Sequence, residues 1–221
     1  KLKKLIKPDD YHYARTRLLC LENTTWGKAL PQEYLAEAKT FADEHGLALH
    51  LDGARIFNAA VEQGTTAAEI AAPFDSVSVC LSKGLGCPVG SVLAGPSDFV
   101  KQARRWRKML GGGMRQSGIL AAAGIHALQH HVDRLAEDHA NARLLAKGLD
   151  GIDGIEVATV QTNMVFATIA EHKITGLAEH LRKNDILNTA PIAGSLRLVT
   201  HLDVDADAIR TAVETFAEYF A

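Results

Sequence analysis

Across 221 residues, 47% are hydrophobic and 23% charged, the balance of a folded, water-soluble chain long enough to bury a sizeable core rather than of a fibrous or disordered one. The net charge of −2, with both signs spread along the chain, leaves no basic field for a nucleic-acid backbone, so nucleic acid is excluded as a non-specific partner. The start from Lys1 to Lys7 is basic and only briefly apolar, and no apolar run reaches bilayer length, so neither secretion nor a membrane partner is expected.

Arg17 to Leu21 reads as a short strand, and Pro31-Gln32-Glu33 opens a helix that stops at His45-Gly46. Leu47 to Leu51 follows as a buried strand ending on Asp52-Gly53-Ala54-Arg55, which completes a first βαβ unit. A helical stretch from Thr66 to Ala72 leads to a strand over Ser76 to Leu81, which runs directly into Ser82-Lys83-Gly84-Leu85-Gly86. Both polar clusters therefore fall at the C-terminal ends of strands, where open α/β sheets form their ligand crevice. Ser91 to Gly95 reads as another strand, and Ser97-Asp98 starts an amphipathic helix with Phe99, Val100, Ala103 and Trp106 on one side.

Gly111-Gly112-Gly113 cuts that helix, and Ile119 to Leu128 and Val132 to Leu149 read as two more. The turn-rich Asp150 to Gly154 marks a boundary. Residues 1–149 are expected to belong to a large α/β domain and residues 150–221 to form a small α+β domain. The second carries strand-like runs at Ile155 to Ala158, Asn163 to Thr168, Ile186 to Asn188 and Leu196 to Thr200, with helices over Leu177 to Lys183 and Asp205 to Phe220. Cys20, Cys80 and Cys87 form neither a CxxC pair nor an even set, which points to the reducing cytoplasm. Cys20 and Cys80 lie in apolar strand-like runs, where buried, inert thiols are expected.

A lone lysine in a glycine-flanked turn is more often surface decoration than chemistry. Around Lys83 three features argue otherwise. Gly84 and Gly86 leave room for a flat ring to approach the backbone, Ser78 and Ser82 offer hydroxyls to a phosphate, and Asp52 ends the preceding strand. Pyridoxal phosphate requires an amine to condense with its aldehyde and a carboxylate to keep its pyridine nitrogen protonated, so Lys83 and Asp52 are the candidate catalytic pair.

Arg55, one turn past Asp52, suits a two-point clamp on a substrate carboxylate, with a structural ion pair as the alternative. Arg197, inside the apolar run from Ser195 to Thr200, must find an anion, either a substrate carboxylate or a buried Asp. Gly111 to Gly113 before Met114-Arg115-Gln116-Ser117 can bind an anion through backbone N–H groups or can simply break a helix. His126 and His130 stand at i,i+4 spacing, but no third ligand accompanies them in a zinc pattern, so they read as a solvated helix face.

The strings HLDGARIFNA (His50 to Ala59), SVCLSKGLGCPVGS (Ser78 to Ser91), RRWRKMLGGGMRQSGILAAAG (Arg104 to Gly124) and RLVTHLDV (Arg197 to Val204) closely resemble those of the low-specificity L-threonine aldolases. The likeness covers nearly all of the chain, from Ile6 to the last helix. It implies the fold-type-I (aspartate-aminotransferase-like) α/β architecture of pyridoxal-phosphate enzymes. It also implies a homotetramer in which neighbouring subunits complete each site, and an amino-acid substrate. On this resemblance Lys83 holds the cofactor covalently, Asp52 faces its pyridine nitrogen, and Arg55, at the cofactor, joins Arg197 on the substrate carboxylate. Lys108 and Arg115 would reach the phosphate region of a neighbour's cofactor.

Thr25 takes the position of a family histidine near the substrate hydroxyl and is followed by Trp26, which leaves the general base unassigned. The family also carries roughly a hundred residues ahead of the position of Lys1, the size of a small domain, with a phosphate-binding Gly-Thr turn and a histidine that stacks on the cofactor. The chain is therefore expected to lack the N-terminal part of its large domain and to bind cofactor weakly by itself. The expected reaction is cleavage of L-threonine or L-allo-threonine to glycine and an aldehyde. The alternatives are a phenylserine-type aldolase, a β-eliminating lyase, or an oligomerising fragment without catalysis.

Overall fold

The computed structural model describes residues 1–188 and 194–221. After a short 3-10 turn at Leu2–Leu5, strand β1 (Leu18–Glu22), helix α1 (Gln32–Glu44) and strand β2 (Ala48–Asp52) form the expected βαβ unit. The strands are parallel, in register from Leu18 opposite Ala48 to Glu22 opposite Asp52. Leu35, Ala38 and Ala42 recur at helical spacing and bury one face of α1 against the sheet, and Gly46 ends the helix in a left-handed turn. Helix α2 (Ile56–Gln63) and α3 (Ala67–Ala71) then lead to β3 (Ser76–Cys80), parallel to β2, and β4 (Ser91–Ala94) closes the sheet antiparallel to β3.

Helix α2 is absent from the sequence reading, which ends the strand on the cluster from Asp52 to Arg55 and resumes at Thr66. No side chain caps its start at Arg55, so the usual N-terminal signal is missing. Its apolar face of Ile56, Ala59 and Ala60, and the left-handed Gly64 that ends it, are the signals that identify it.

Alternation along the strands sends Leu51 and Val77 into a core with Leu35, Ile56 and Ile70, and Leu49 into a neighbouring cluster with Ala42 and Leu47. The opposite face carries Leu18, Cys20 and Glu22, and among the described residues it is open. Cys20 is accordingly exposed and Cys80 half-buried, so the expected burial of these two thiols does not hold; Cys87 is the buried one. An apolar run suggests burial of every side chain in it, whereas only one face of this sheet is covered by α1 and α2.

Helices α4 (Ser97–Met109), α5 (Gly118–His130) and α6 (Leu135–Asp150) follow. None of α4 is buried, and its Phe99 and Trp106 face solvent at 37% and 58% exposure. Strands β5 (Ile155–Val157), β6 (Met164–Ile169) and β7 (Ser195–Val199) form a separate antiparallel sheet in that order. Helices α7 (Glu171–Ile174), α8 (Leu177–Lys183) and α9 (Ala206–Phe220, capped by Asp205) complete the described elements.

Ile186 to Asn188 is not a strand. Asp185 adopts a positive φ of 60° and the Ile186 N–H bonds back to Leu181, so this backbone closes the end of α8 instead of entering a ladder. The core of the second sheet gathers Val165, Ala167, Leu196, Ile209 and Phe216 around Ala142, Leu145 and Leu149. The last three belong to α6, so this helix packs into the second core just ahead of the turn at Asp150 to Gly154. Among the described residues no helix is long and apolar enough to cross a membrane.

Candidate active site

The loop after β1 joins the two sheets. Thr162 donates its hydroxyl to the Gly27 carbonyl (2.6 Å), and the Gln161 side chain accepts from the Ala29 N–H (2.9 Å). Gly27 is required here: at φ 73° any Cβ would lie 2.8 Å from that of Met164. The loop and β6 thereby enclose a cavity of about 270 Å³ lined by Glu22, Thr24, Trp26, Arg55, Met164, Phe166 and Arg197. Trp26 and Phe166 form its aromatic wall, with ring centroids 5.3 Å apart.

Arg55 enters from the start of α2 and Arg197 from the middle of β7. Burial pushes the Arg55 guanidinium below its usual value, the positive charge of Arg197 adds to this, and Glu22 and Cys80 oppose it. Among the described residues neither arginine has a carboxylate within salt-bridge distance, and the Arg55 Nε is buried without any hydrogen-bond partner. The buried Thr24 hydroxyl also lacks a partner. The cavity thus sets two guanidiniums, that of Arg55 half-buried and that of Arg197 exposed, against the single carboxylate of Glu22, with two buried polar atoms unpaired.

Asp52 ends β2 beside Glu22 of β1 and Ser78 of β3, so the three side chains share the open face of the sheet. The Asp52 carboxylate accepts the Ala54 N–H at 3.1 Å and is otherwise exposed. Lys83 follows β3 in a turn closed by the Gly86 N–H bonding to the Lys83 carbonyl at 2.9 Å. On the side where a Cβ would stand, glycines 84 and 86 are filled by protein, so that side is not the room for a ring that the sequence suggests. A Cβ on Gly84 would lie 2.8 Å from Leu135 and 3.3 Å from the Asn58 carboxamide oxygen, and one on Gly86 2.2 Å from Leu202. They serve close packing of protein on protein. Gly86→Ala, at φ 71°, is expected to cost about 1–2 kcal/mol from left-handed strain, seen as a lower urea midpoint; an unchanged midpoint would contradict this packing.

Other proposed site residues are placed differently. Thr25 donates its hydroxyl to the Glu22 carbonyl at 2.6 Å and is not among the residues lining the cavity, whereas its neighbours Thr24 and Trp26 are. Ser82 is exposed, its oxygen 3.4 Å from the Cys80 sulfur. Lys108, at the end of α4, and Arg115, in the following loop, are exposed and do not line the arginine cavity. The rings of His126 and His130 lie tilted to one another with centroids 4.5 Å apart, and no metal-binding cluster occurs among the described residues. A larger groove of about 630 Å³ beside the 150–154 turn is lined by Asp150, Asp153 and Glu156 without a cationic side chain, so it repels the anions that the arginine cavity attracts.

Glu22, Thr24, Met164 and Phe166 are cavity residues that the sequence reading did not assign. Only Glu22 and Thr24, flanking Asn23 beside the departure at Thr25, carried a signal that pointed to them.

The low specificity L-threonine aldolase of Escherichia coli (strain K12) is 52% identical to this chain over 222 residues, an alignment that takes in 100% of the chain and 66% of that protein. The probable low-specificity L-threonine aldolase 2 of Arabidopsis thaliana is 43% identical over 216 residues, covering 93% of the chain and 61% of that protein. Among solved structures, the threonine aldolase of Leishmania major superposes with a TM-score of 0.83 at 25% identity, over 100% of this chain and 66% of its own. The chain thus spans 66% of the length of its Escherichia coli relative. Its mixed α/β architecture is that of the fold-type-I pyridoxal-phosphate enzymes. The sequence profile of the beta-eliminating lyases matches residues 1–172, and the chain belongs to that family.

Proposed function

We propose that the protein is a pyridoxal-phosphate-dependent lyase that cleaves L-3-hydroxy-α-amino acids, L-threonine or L-allo-threonine, to glycine and an aldehyde. The observation that carries this is the buried, unpartnered Arg55 Nε beside Arg197 in one cavity, which fits a ligand carboxylate. The likeness to threonine aldolases over the whole chain supports the choice of reaction.

The residues fit the cofactor as well. Lys83 would supply the amine for its aldehyde, and Asp52, exposed on the open face, would supply the carboxylate for its pyridine nitrogen. When bound, the cofactor stores the electron pair released at the α-carbon. Arg55 and Arg197 fix the carboxylate and thereby the rotation about the α-carbon, which selects the bond to be broken. Thr24 offers its free hydroxyl to a polar atom of the substrate, and the indole of Trp26 with Phe166 presents an aromatic wall to its side chain.

Residues 1–149 form part of the large domain and residues 150–221 the small one, with α6 shared between their cores. Lys108 and Arg115 serve a neighbouring subunit's phosphate in a homotetramer. The exposed apolar side chains Trp106, Met109, Leu110 and Ile119 around them support such an assembly. The three free cysteines suit a cytoplasmic location.

With pyridoxal phosphate and L-threonine, acetaldehyde and glycine are expected in equal amounts. Formation of 2-oxobutanoate and ammonia would instead establish β-elimination. The Trp26–Phe166 contact favours a second reading, an aldolase for aryl β-hydroxy amino acids, for which a kcat/KM on phenylserine well above that on threonine is the distinguishing result.

A further inference from the structure

The turn that carries Lys83 is held from outside its own strand. His201, in the segment after β7, places its Nε2 2.9 Å from the Lys83 carbonyl, and because a carbonyl only accepts, Nε2 carries the hydrogen. Asp203 stands 3.3 Å from the other ring nitrogen. The next residue, Leu202, covers Gly86 so closely that a methyl group there would overlap it. On the other side His131, at the end of α5, donates from Nδ1 to the Leu85 carbonyl at 2.7 Å. Underneath, Asn58 of α2 packs on Gly84 and bonds His139 at 3.1 Å.

The segment bearing His201 is itself fixed. Thr200 donates its hydroxyl to the Asp138 carbonyl at 2.6 Å and its N–H to Asn163 at 3.0 Å, and the Asn163 side chain returns a bond to the Thr200 carbonyl at 3.0 Å. The same strand β7 carries Arg197 four residues earlier. One rigid strand and its exit therefore supply both a ligand of the anion cavity and a restraint on the lysine turn.

We propose that His201 is a positioning residue for Lys83: its N–H on the Lys83 carbonyl fixes the direction from which the lysine amine leaves the sheet, and registers it against Arg197. A strand-end turn without this bond leaves the Lys83 peptide held only by the Gly86 N–H, and a flexible anchor lowers the fraction of amine aimed at an incoming aldehyde. The part concerning the cofactor rests on the function proposed above; the restraint on the turn does not.

The test compares His201→Ala, His201→Gln and His201→Asn in the complete protein. Glutamine can bring an N–H to about the place of Nε2, whereas asparagine stops short. In cofactor-free protein, hydrogen exchange at the Gly86 amide is expected to quicken on the order of fivefold in the alanine and asparagine variants, as fits a lost bond of about 1 kcal/mol, and to return to within about twofold of wild type with glutamine. Melting curves report that the variants fold. The rate at which added pyridoxal phosphate develops its lysine-bound absorbance is expected to follow the same order. Wild-type exchange in His201→Ala, or no rescue by glutamine, would overturn the proposal. Altered exchange in a protein whose wild type never takes up the cofactor would leave the restraint standing and sink the proposed function instead.

Discussion

Lys83→Ala is expected to remove the visible absorbance of lysine-bound pyridoxal phosphate and to lower turnover by at least about a thousandfold. An activated amine fixed in a turn cannot be replaced by solvent, and the acceleration owed to covalent attachment is lost with it. The turn itself should survive. Its closing bonds run through the Lys83 carbonyl, to the Gly86 N–H and His201, and alanine keeps that carbonyl. The variant should therefore melt near the wild-type temperature, which separates loss of chemistry from loss of fold. Wild-type turnover in Lys83→Ala would remove this lysine from the mechanism.

Arg55→Leu is the second large effect, with an unusual sign in stability. In the ligand-free protein Arg55 is disfavoured by burial and by Arg197, and its Nε has no partner. Replacing it with an apolar side chain relieves both, so the melting temperature should stay level or rise. The substrate loses one of two guanidiniums on its carboxylate, a truncation of about 2–5 kcal/mol for a buried charged pair, so KM should rise on the order of a hundredfold. A fall in stability with KM unchanged would mean that Arg55 is a structural ion-pair member, the alternative left open by its spacing alone.

The parts legible in the sequence are those governed by local periodicity. The unit β1-α1-β2 follows from an apolar run, a proline at the helix start and a glycine after its end. The same rules put Asp52 and Lys83 at strand ends, and the last helix begins at the Asp205 cap. What local pattern does not carry is the other face of each element. Cys20 sits in a run as apolar as Leu49 and Leu51, yet only the sheet geometry tells that its side is open.

Long-range closure was equally hidden. Arg55 and Arg197 meet in one cavity because Thr162 and Gln161 pin the Gly27 loop to the second sheet, and no spacing rule predicts that contact. The glycines beside Lys83 suggest room for a ligand, whereas on the side of the missing Cβ it is Leu135 and Leu202 that close on them. Helix α2 leaves little trace in the sequence because nothing caps it, while Arg55, its first flanking residue, is legible from its chemistry. Roles for Lys108 and Arg115 came from the family likeness alone and depend on an assembly.

The central claim, that one lysine at the end of β3 anchors the cofactor beside the arginine cavity, is tested most directly by trapping. The complete protein is incubated with pyridoxal phosphate, reduced with borohydride, digested and mapped by mass. The account predicts a single reduced cofactor adduct on the peptide containing Lys83, lost when excess L-threonine is added before reduction because the substrate amine displaces the lysine. An adduct on any other lysine, or one on Lys83 that threonine leaves untouched, would contradict it.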